Sequence, residues 1–153
     1  MRFEKVVEYH TYDRFGELLY ILQRNNRKYL NDKLAEYDLN LLQSMALLII
    51  CQKENITQKD LAEFLFLTKS GMTKAITKLE SSKYIKKERS KEDSRKYVLI
   101  LTPKGRKILP KVIKVIQGWE EKIGLNEFDE TFMENLKKLA YASIELNSQE
   151  ESS

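Results

Sequence analysis

Cysteine is nearly absent: Cys51 is the only one in 153 residues, so no internal disulfide can form. That usage suits a reducing compartment, and a cytoplasmic protein is expected. Histidine is equally scarce, with His10 alone; zinc needs clustered donors, so no metal is expected. Five glycines make no phosphate-cradling loop, and no serine or cysteine stands in a nucleophile motif with a histidine. Neither a cofactor nor an enzymatic activity is expected. Long apolar runs are missing too, the longest being the seven residues from Met45 to Cys51, far short of a membrane span. The first ten residues hold no apolar stretch like that of a secretory signal, so no membrane partner is expected.

What is present is an apolar content of 42%, enough for a real core, and charge that is unevenly spread. From Lys83 to Lys114 there are twelve Lys/Arg against three Asp/Glu, and from Leu125 to Ser153 two Lys against seven Asp/Glu. One basic face of this kind attracts polyanions, nucleic acid foremost. A solvated lysine-rich surface would give the same counts, so the pattern of residues has to decide.

Residues 11 to 36 read as a first helix, with Phe15, Leu18, Leu19 and Leu22 on one stripe and a weaker continuation through Leu30 and Leu34. Asn40 is a candidate N-cap for a second helix, Leu41 to about Lys53, whose apolar residues (Leu42, Met45, Leu48, Ile49) lie nearly all round and predict burial on most sides. Cys51, late in that helix, is expected to be a buried, inert hydrophobe. Thr57 and Asp60 have capping-box spacing and open a short helix with Leu61, Phe64 and Leu65 inward. Thr68 caps a fourth helix, Lys69 to Ser82, close enough behind the third for a helix-turn-helix. After Lys83 the period changes to alternation, predicting a β-hairpin from Tyr84 to Leu101 with a charged tip at residues 90–94. Thr102 followed by Pro103 starts a fifth helix that runs to about Ile123, burying Ile108, Val112, Ile116, Trp119 and Ile123, with Pro110 inside it and Gly124 closing it. Asn126 and Asp129 cap a last helix.

The fourth helix separates its residues cleanly. Met72, Ala75, Ile76 and Leu79 fall on one face; Lys69, Ser70, Thr73, Lys74, Thr77 and Lys78 fall on the other, which has no acidic residue. Surface helices usually mix both signs, whereas short hydroxyls and lysines suit a major groove about 12 Å wide. Gly71 weakens this helix by about 1 kcal/mol, for which close approach to a neighbour is one reason. The hairpin adds Lys87, Arg89, Lys91, Arg95 and Lys96, and Asp93 is placed to orient Arg95 by a charge-assisted hydrogen bond. An arginine on such a wing suits a narrow, A·T-rich minor groove.

On these residues the chain resembles the MarR family of winged-helix transcriptional regulators, over residues 11 to 145. The resemblance rests on Leu61 to Leu79, on the wing from Glu92 to Thr102, and on Thr102-Pro103-Lys104-Gly105. It implies a mainly α fold with a small β-hairpin wing: a winged helix-turn-helix domain at 39–102 and a helical dimerisation region made of 1–38 and 103–146; the polar residues 147–153 themselves read as a disordered tail. It implies a homodimer on a palindromic double-stranded DNA operator, with Arg95 in the minor groove, Asp93 as its partner, and Ser70, Thr73 and Lys74 facing the major groove. Many members of the family respond to small aromatic or anionic effectors, for which Tyr12, Phe15, Tyr37, Met45 and Trp119 are the candidate pocket lining; an aromatic stripe of this kind also suits a core. Lys83 departs from the family's glycine before the first wing strand and is expected to reshape that turn. Redox-sensing relatives carry a cysteine near the start of the first helix, which this chain does not. The expected function is sequence-specific regulation, most often repression relieved by an effector. The alternatives are a winged-helix protein-interaction module and a non-specific nucleoid binder.

Overall fold

The computed structural model describes residues 14–153. Along them run α1 (Phe15–Leu34), a 3-10 turn (Ala35–Tyr37), α2 (Leu41–Gln52), α3 (Gln58–Phe64), α4 (Lys69–Ser81), β1 (Ile85–Arg89), β2 (Tyr97–Leu101), α5 (Pro103–Lys122), a second 3-10 turn (Leu125–Glu127) and α6 (Glu130–Glu151). This is the mainly helical, winged helix-turn-helix fold expected from the sequence. Contacts divide the chain into two units, the first ending at Gln117 and the second running from Gly118 to Ser153. No single helix among the described residues is long and apolar enough to cross a membrane.

Local chemistry sets the helix starts. Asn40 and Gln43 form a reciprocal capping box on α2, and Thr57 and Asp60 form another on α3. The Thr57 backbone N–H, and then its side chain, hold the Asp60 carboxyl below the usual carboxylate range. Thr68 caps α4 by accepting from the Gly71 N–H at 3.2 Å, and Asp129 caps α6 by accepting from Phe132.

In the first unit, β1 and β2 pair antiparallel, from Ile85 opposite Leu101 to Arg89 opposite Tyr97. The Leu99 N–H also donates to the Ile56 carbonyl at 2.9 Å, tying the hairpin to the segment before α3. The core gathers Leu30 and Leu34 of α1, Ala46, Leu47 and Ile50 of α2, the inner face of α4, Val98, Leu99 and Leu101 of the wing, and Ile108, Leu109 and Val112 of α5. The α5 N-terminus is held by Thr102, whose hydroxyl donates to the Lys83 carbonyl at 2.7 Å and accepts from the Gly105 N–H at 3.0 Å. Gly105 lies so close to β1 that a Cβ there would fall on the Tyr84 carbonyl oxygen, and this approach is what requires a glycine.

Several expectations about burial are corrected. In α2 the buried face is Gln43, Ser44, Ala46, Leu47 and Ile50, whereas Met45 is exposed and Leu48 and Ile49 are half-buried. A helix apolar nearly all round carries no strongly preferred face of its own, so packing chose one. Cys51 follows on the open side and is exposed. Phe64, expected inward, is 53% exposed, with the Lys53 ammonium 5.6 Å from its ring centre. On α1 the strong stripe of Phe15, Leu18, Leu19 and Leu22 is exposed, and its weaker continuation at Leu30 and Leu34 is buried. The α-helix ends at Leu34, where the chain tightens into the 3-10 turn.

The second unit holds the end of α5, the 3-10 turn and α6. Ile116 is half-buried in the first unit; Trp119 is half-buried and Ile123 exposed in the second. Gly124 adopts φ 80°, the left-handed position a glycine favours after a helix. The rings of Phe128 and Phe132 meet with centroids 4.8 Å apart. The expected disordered tail at 147–153 is corrected: α6 continues to Glu151, and Ser148 and Ser152 donate to carbonyls one turn back. Extending an existing helix through good helix formers such as Glu150 and Glu151 costs little.

Candidate nucleic-acid interface

The side chains of α4 divide as the period requires. Met72, Ala75, Ile76 and Leu79 are buried, and Lys69, Ser70, Thr73, Lys74, Thr77 and Lys78 are all exposed. Thr68, Lys69, Ser70, Thr73 and Lys74 line an open, shallow depression at the N-terminal half of this face. Gly71 is approached only by its own cap, with Thr68 Oγ1 3.3 Å from where a Cβ would sit, so no neighbouring element demands it.

The two ends of this face differ. Near its start, Thr73 Oγ1 lies 2.9 Å from the Lys69 carbonyl and 2.8 Å from Gln58 Nε2, the first residue of α3. Lys69 and Lys74 form no ion pair among the described residues. Near its end, Lys78 Nζ sits 2.9 Å from Asp38 Oδ2, and the Ser82 hydroxyl donates to the same oxygen at 2.9 Å. Lys78 first, then Ser82, holds the Asp38 carboxyl below the usual range. The Tyr84 hydroxyl donates to the Tyr37 carbonyl at 2.6 Å. The turn between α1 and α2 is thereby latched to the C-terminal end of α4.

The wing begins at Lys83, whose φ of 60° keeps the left-handed turn that the missing glycine was expected to reshape. Its N–H donates to the Glu80 carbonyl and that of Tyr84 to Leu79, and these bonds hold the conformation against its steric cost. Within the hairpin, Lys87 pairs with Glu80 at 3.5 Å and Lys86 with Glu88 at 2.7 Å. Arg89 donates to the Ser94 carbonyl at 2.7 Å and lies 5.2 Å from the Tyr97 ring centre, so it braces the hairpin. Arg95 donates from Nε and from a terminal nitrogen to the two oxygens of Asp93, at 3.1 and 3.3 Å, and its side chain remains 89% exposed. Those bonds lower the Asp93 carboxyl. Lys91 and Lys96 are exposed and form no ion pair among the described residues.

The five residues expected around an effector are not shown gathered. Tyr12 lies outside the described residues, as does His10. Phe15 and Met45 are exposed, and Tyr37 faces the Lys111 ammonium at 5.6 Å. Trp119 belongs to the second unit. Among the described residues, no three His, Cys, Asp or Glu side chains are grouped to hold a metal ion.

Residues 37–96 match the model of the MarR family. Over 112 residues the chain is 30% identical to the HTH-type transcriptional regulator SarZ of Staphylococcus saprophyticus, covering 73% of each chain. The protein belongs to the MarR family. It is also similar to the HTH-type transcriptional regulator BilQ of Clostridioides difficile, at 27% identity over 84% of this chain and 86% of that one. A crystal structure of MarR superposes with a TM-score of 0.77 at 28% identity, over 89% of this chain and 95% of the other. This MarR-family member is accordingly a DNA-binding transcriptional regulator and not an enzyme.

Two residues near the interface went unmarked in the sequence. Asp38 is forty positions from Lys78, and Gln58 fifteen from Thr73. The one local cue is that Gln58 directly follows a cap and therefore begins the first helix of the helix-turn-helix.

Proposed function

We propose that this regulator is a homodimer that binds a palindromic operator sequence-specifically, represses transcription there, and is released by a small aromatic or anionic effector. The observation that carries the sequence-specific part is the pairing of two surfaces in one domain: an α4 face with exposed Ser70, Thr73, Lys74 and Thr77 and no acid, and a wing whose Arg95 is held outward by Asp93. Hydroxyls and lysine suit base edges and phosphates of the major groove, and an oriented guanidinium suits the minor groove. Lys69, Lys87, Arg89, Lys91 and Lys96 supply the surrounding positive potential in this reading.

The dimer is supported by apolar surface in each unit. In the first, Phe15, Leu18, Leu19 and Leu22 are 47–60% exposed; in the second, Phe132, Met133, Leu136, Leu139 and Ile144 are 37–53% exposed. Exposed apolar side chains in such number are what a second copy would cover in this reading. We assign the dimerisation region to 1–38 with 103–146 and the DNA-binding domain to 39–102, with half-sites about one duplex turn, ~10 bp, apart. Repression and effector release are carried over from the family resemblance.

The test is selection of bound duplexes from a random pool, followed by affinity measurement against shuffled competitor, with light scattering for mass. A palindromic consensus and a dimer mass are expected. Equal affinity for every duplex would instead identify a non-specific binder, and no duplex binding at all a protein-interaction module.

A further inference from the structure

The hydrogen bonds around Thr73 fix the orientation of a neighbouring amide. Thr73 Oγ1 lies 2.9 Å from the Lys69 carbonyl oxygen. A carbonyl only accepts, so the single hydroxyl proton of Thr73 goes to Lys69. The same oxygen lies 2.8 Å from the side-chain nitrogen of Gln58. Having spent its proton, Thr73 can only accept from that side, so the amide nitrogen rather than the amide oxygen must face it. The side chain of Gln58, at the start of α3, is thereby pinned onto the exposed face of α4. Its Oε1 and its second Nε2 hydrogen form no hydrogen bond among the described residues.

What Gln58 has left is one acceptor and one donor in the plane of its amide; a bidentate contact uses the Nε2 hydrogen on the Oε1 side and leaves the other to Thr73. Of the four base edges in a major groove, only adenine presents the matching pair, N6–H as donor and N7 as acceptor. Guanine presents two acceptors and would set O6 against Oε1. Cytosine offers a donor without N7 beside it, and thymine an acceptor next to a methyl group. We propose that Gln58 is a specificity-determining residue that reads an adenine, with Thr73 as the side chain that holds it in the reading orientation. Thr73 is then a poor donor to DNA itself, and its part in specificity runs largely through Gln58. Because the amide is held before DNA arrives, less rotamer freedom is lost on binding.

This inference rests on the proposal that α4 enters the major groove, and the experiment separates the two. Duplexes are selected from a random pool by the full-length wild-type chain and by Gln58→Ala. The wild type is expected to prefer adenine at one position in each half-site. Gln58→Ala is expected to keep the rest of the consensus and lose roughly 5- to 150-fold discrimination at that position. Its salt dependence should be unchanged, since a neutral side chain displaces no counterion. Independently of any variant's folding, 7-deazaadenine at that position, which lacks the N7 acceptor, should weaken binding by the wild type. The inference is overturned if Gln58→Ala selects an unchanged consensus, if it weakens all duplexes equally as a phosphate contact would, or if 7-deazaadenine is tolerated. A wild-type chain that selects no consensus would overturn the major-groove reading itself.

Discussion

Asp93 receives three hydrogen bonds from Arg95: from the backbone N–H and Nε at 3.1 Å to Oδ1, and from a terminal guanidinium nitrogen at 3.3 Å to Oδ2. The carboxylate is 31% exposed and the arginine side chain 89%, so the pair aims the cation out of the wing.

From this we expect Arg95→Ala to weaken operator binding. Titration against salt should show a slope shallower by about 0.9 if the guanidinium meets a phosphate, or loss of A·T preference if it reads the minor groove. Asp93→Asn should weaken binding less and leave the slope alone, because the cation remains. The Asp93 carboxyl is lowered in the fold, so its bonds to Arg95 are present above the unfolded value of about 3.9 and are lost only as pH falls through the lowered folded one. Binding should accordingly show no Asp93 transition between about pH 5 and 8. Wild-type affinity in both variants would remove the wing from the interface.

Lys74 and Lys78 sit one turn apart on α4 but differ in partners. Lys78 is paired with Asp38, and Lys74 has no ion pair among the described residues. Lys74→Met is expected to reduce the salt slope by close to one phosphate's worth, about 0.9, and Lys78→Met by clearly less. Equal reductions would mean that Lys78 leaves Asp38 when DNA binds.

Lys83 occupies the left-handed region at φ 60°, which costs a non-glycine residue roughly 1–2 kcal/mol. Lys83→Gly is therefore expected to stabilise the fold by about 1 kcal/mol, after the extra chain entropy of glycine is offset. Denaturant unfolding reads this directly, and a loss of stability would mean that the lysine side chain contributes more than the turn costs.

Ser44 is fully buried in α2, and its hydroxyl has no hydrogen-bond partner among the described residues. Desolvating an unpaired hydroxyl costs about 1–3 kcal/mol, so Ser44→Ala should raise the unfolding midpoint, with DNA affinity unchanged. A lower midpoint would reveal a partner for the hydroxyl.

The helix-turn-helix shows where sequence reading works and where it stops. Both helices carry side-chain caps, Thr57 and Thr68, whose chemistry is local. The turn between them carries Phe66 at φ 53° and 74% exposed, a conformation a bulky aromatic side chain does not announce. It is held by bonds from the Phe66 and Leu67 N–H groups back to the Glu63 and Ala62 carbonyls, which close α3 in a left-handed turn against the residue's own preference.

The sequence alone determined the division of α4 into a buried and an open face, the capped helix starts and the Asp93–Arg95 wing, because each depends on residues within a few positions of one another. Only the tertiary structure decided which side of α2 is buried, that Cys51 is exposed, that Lys78 answers to Asp38, and that Gln58 lies against Thr73. Those outcomes depend on segments brought together across fifteen or more residues, or on a helix too uniformly apolar to choose its own face. Spacing along the chain carries no record of either.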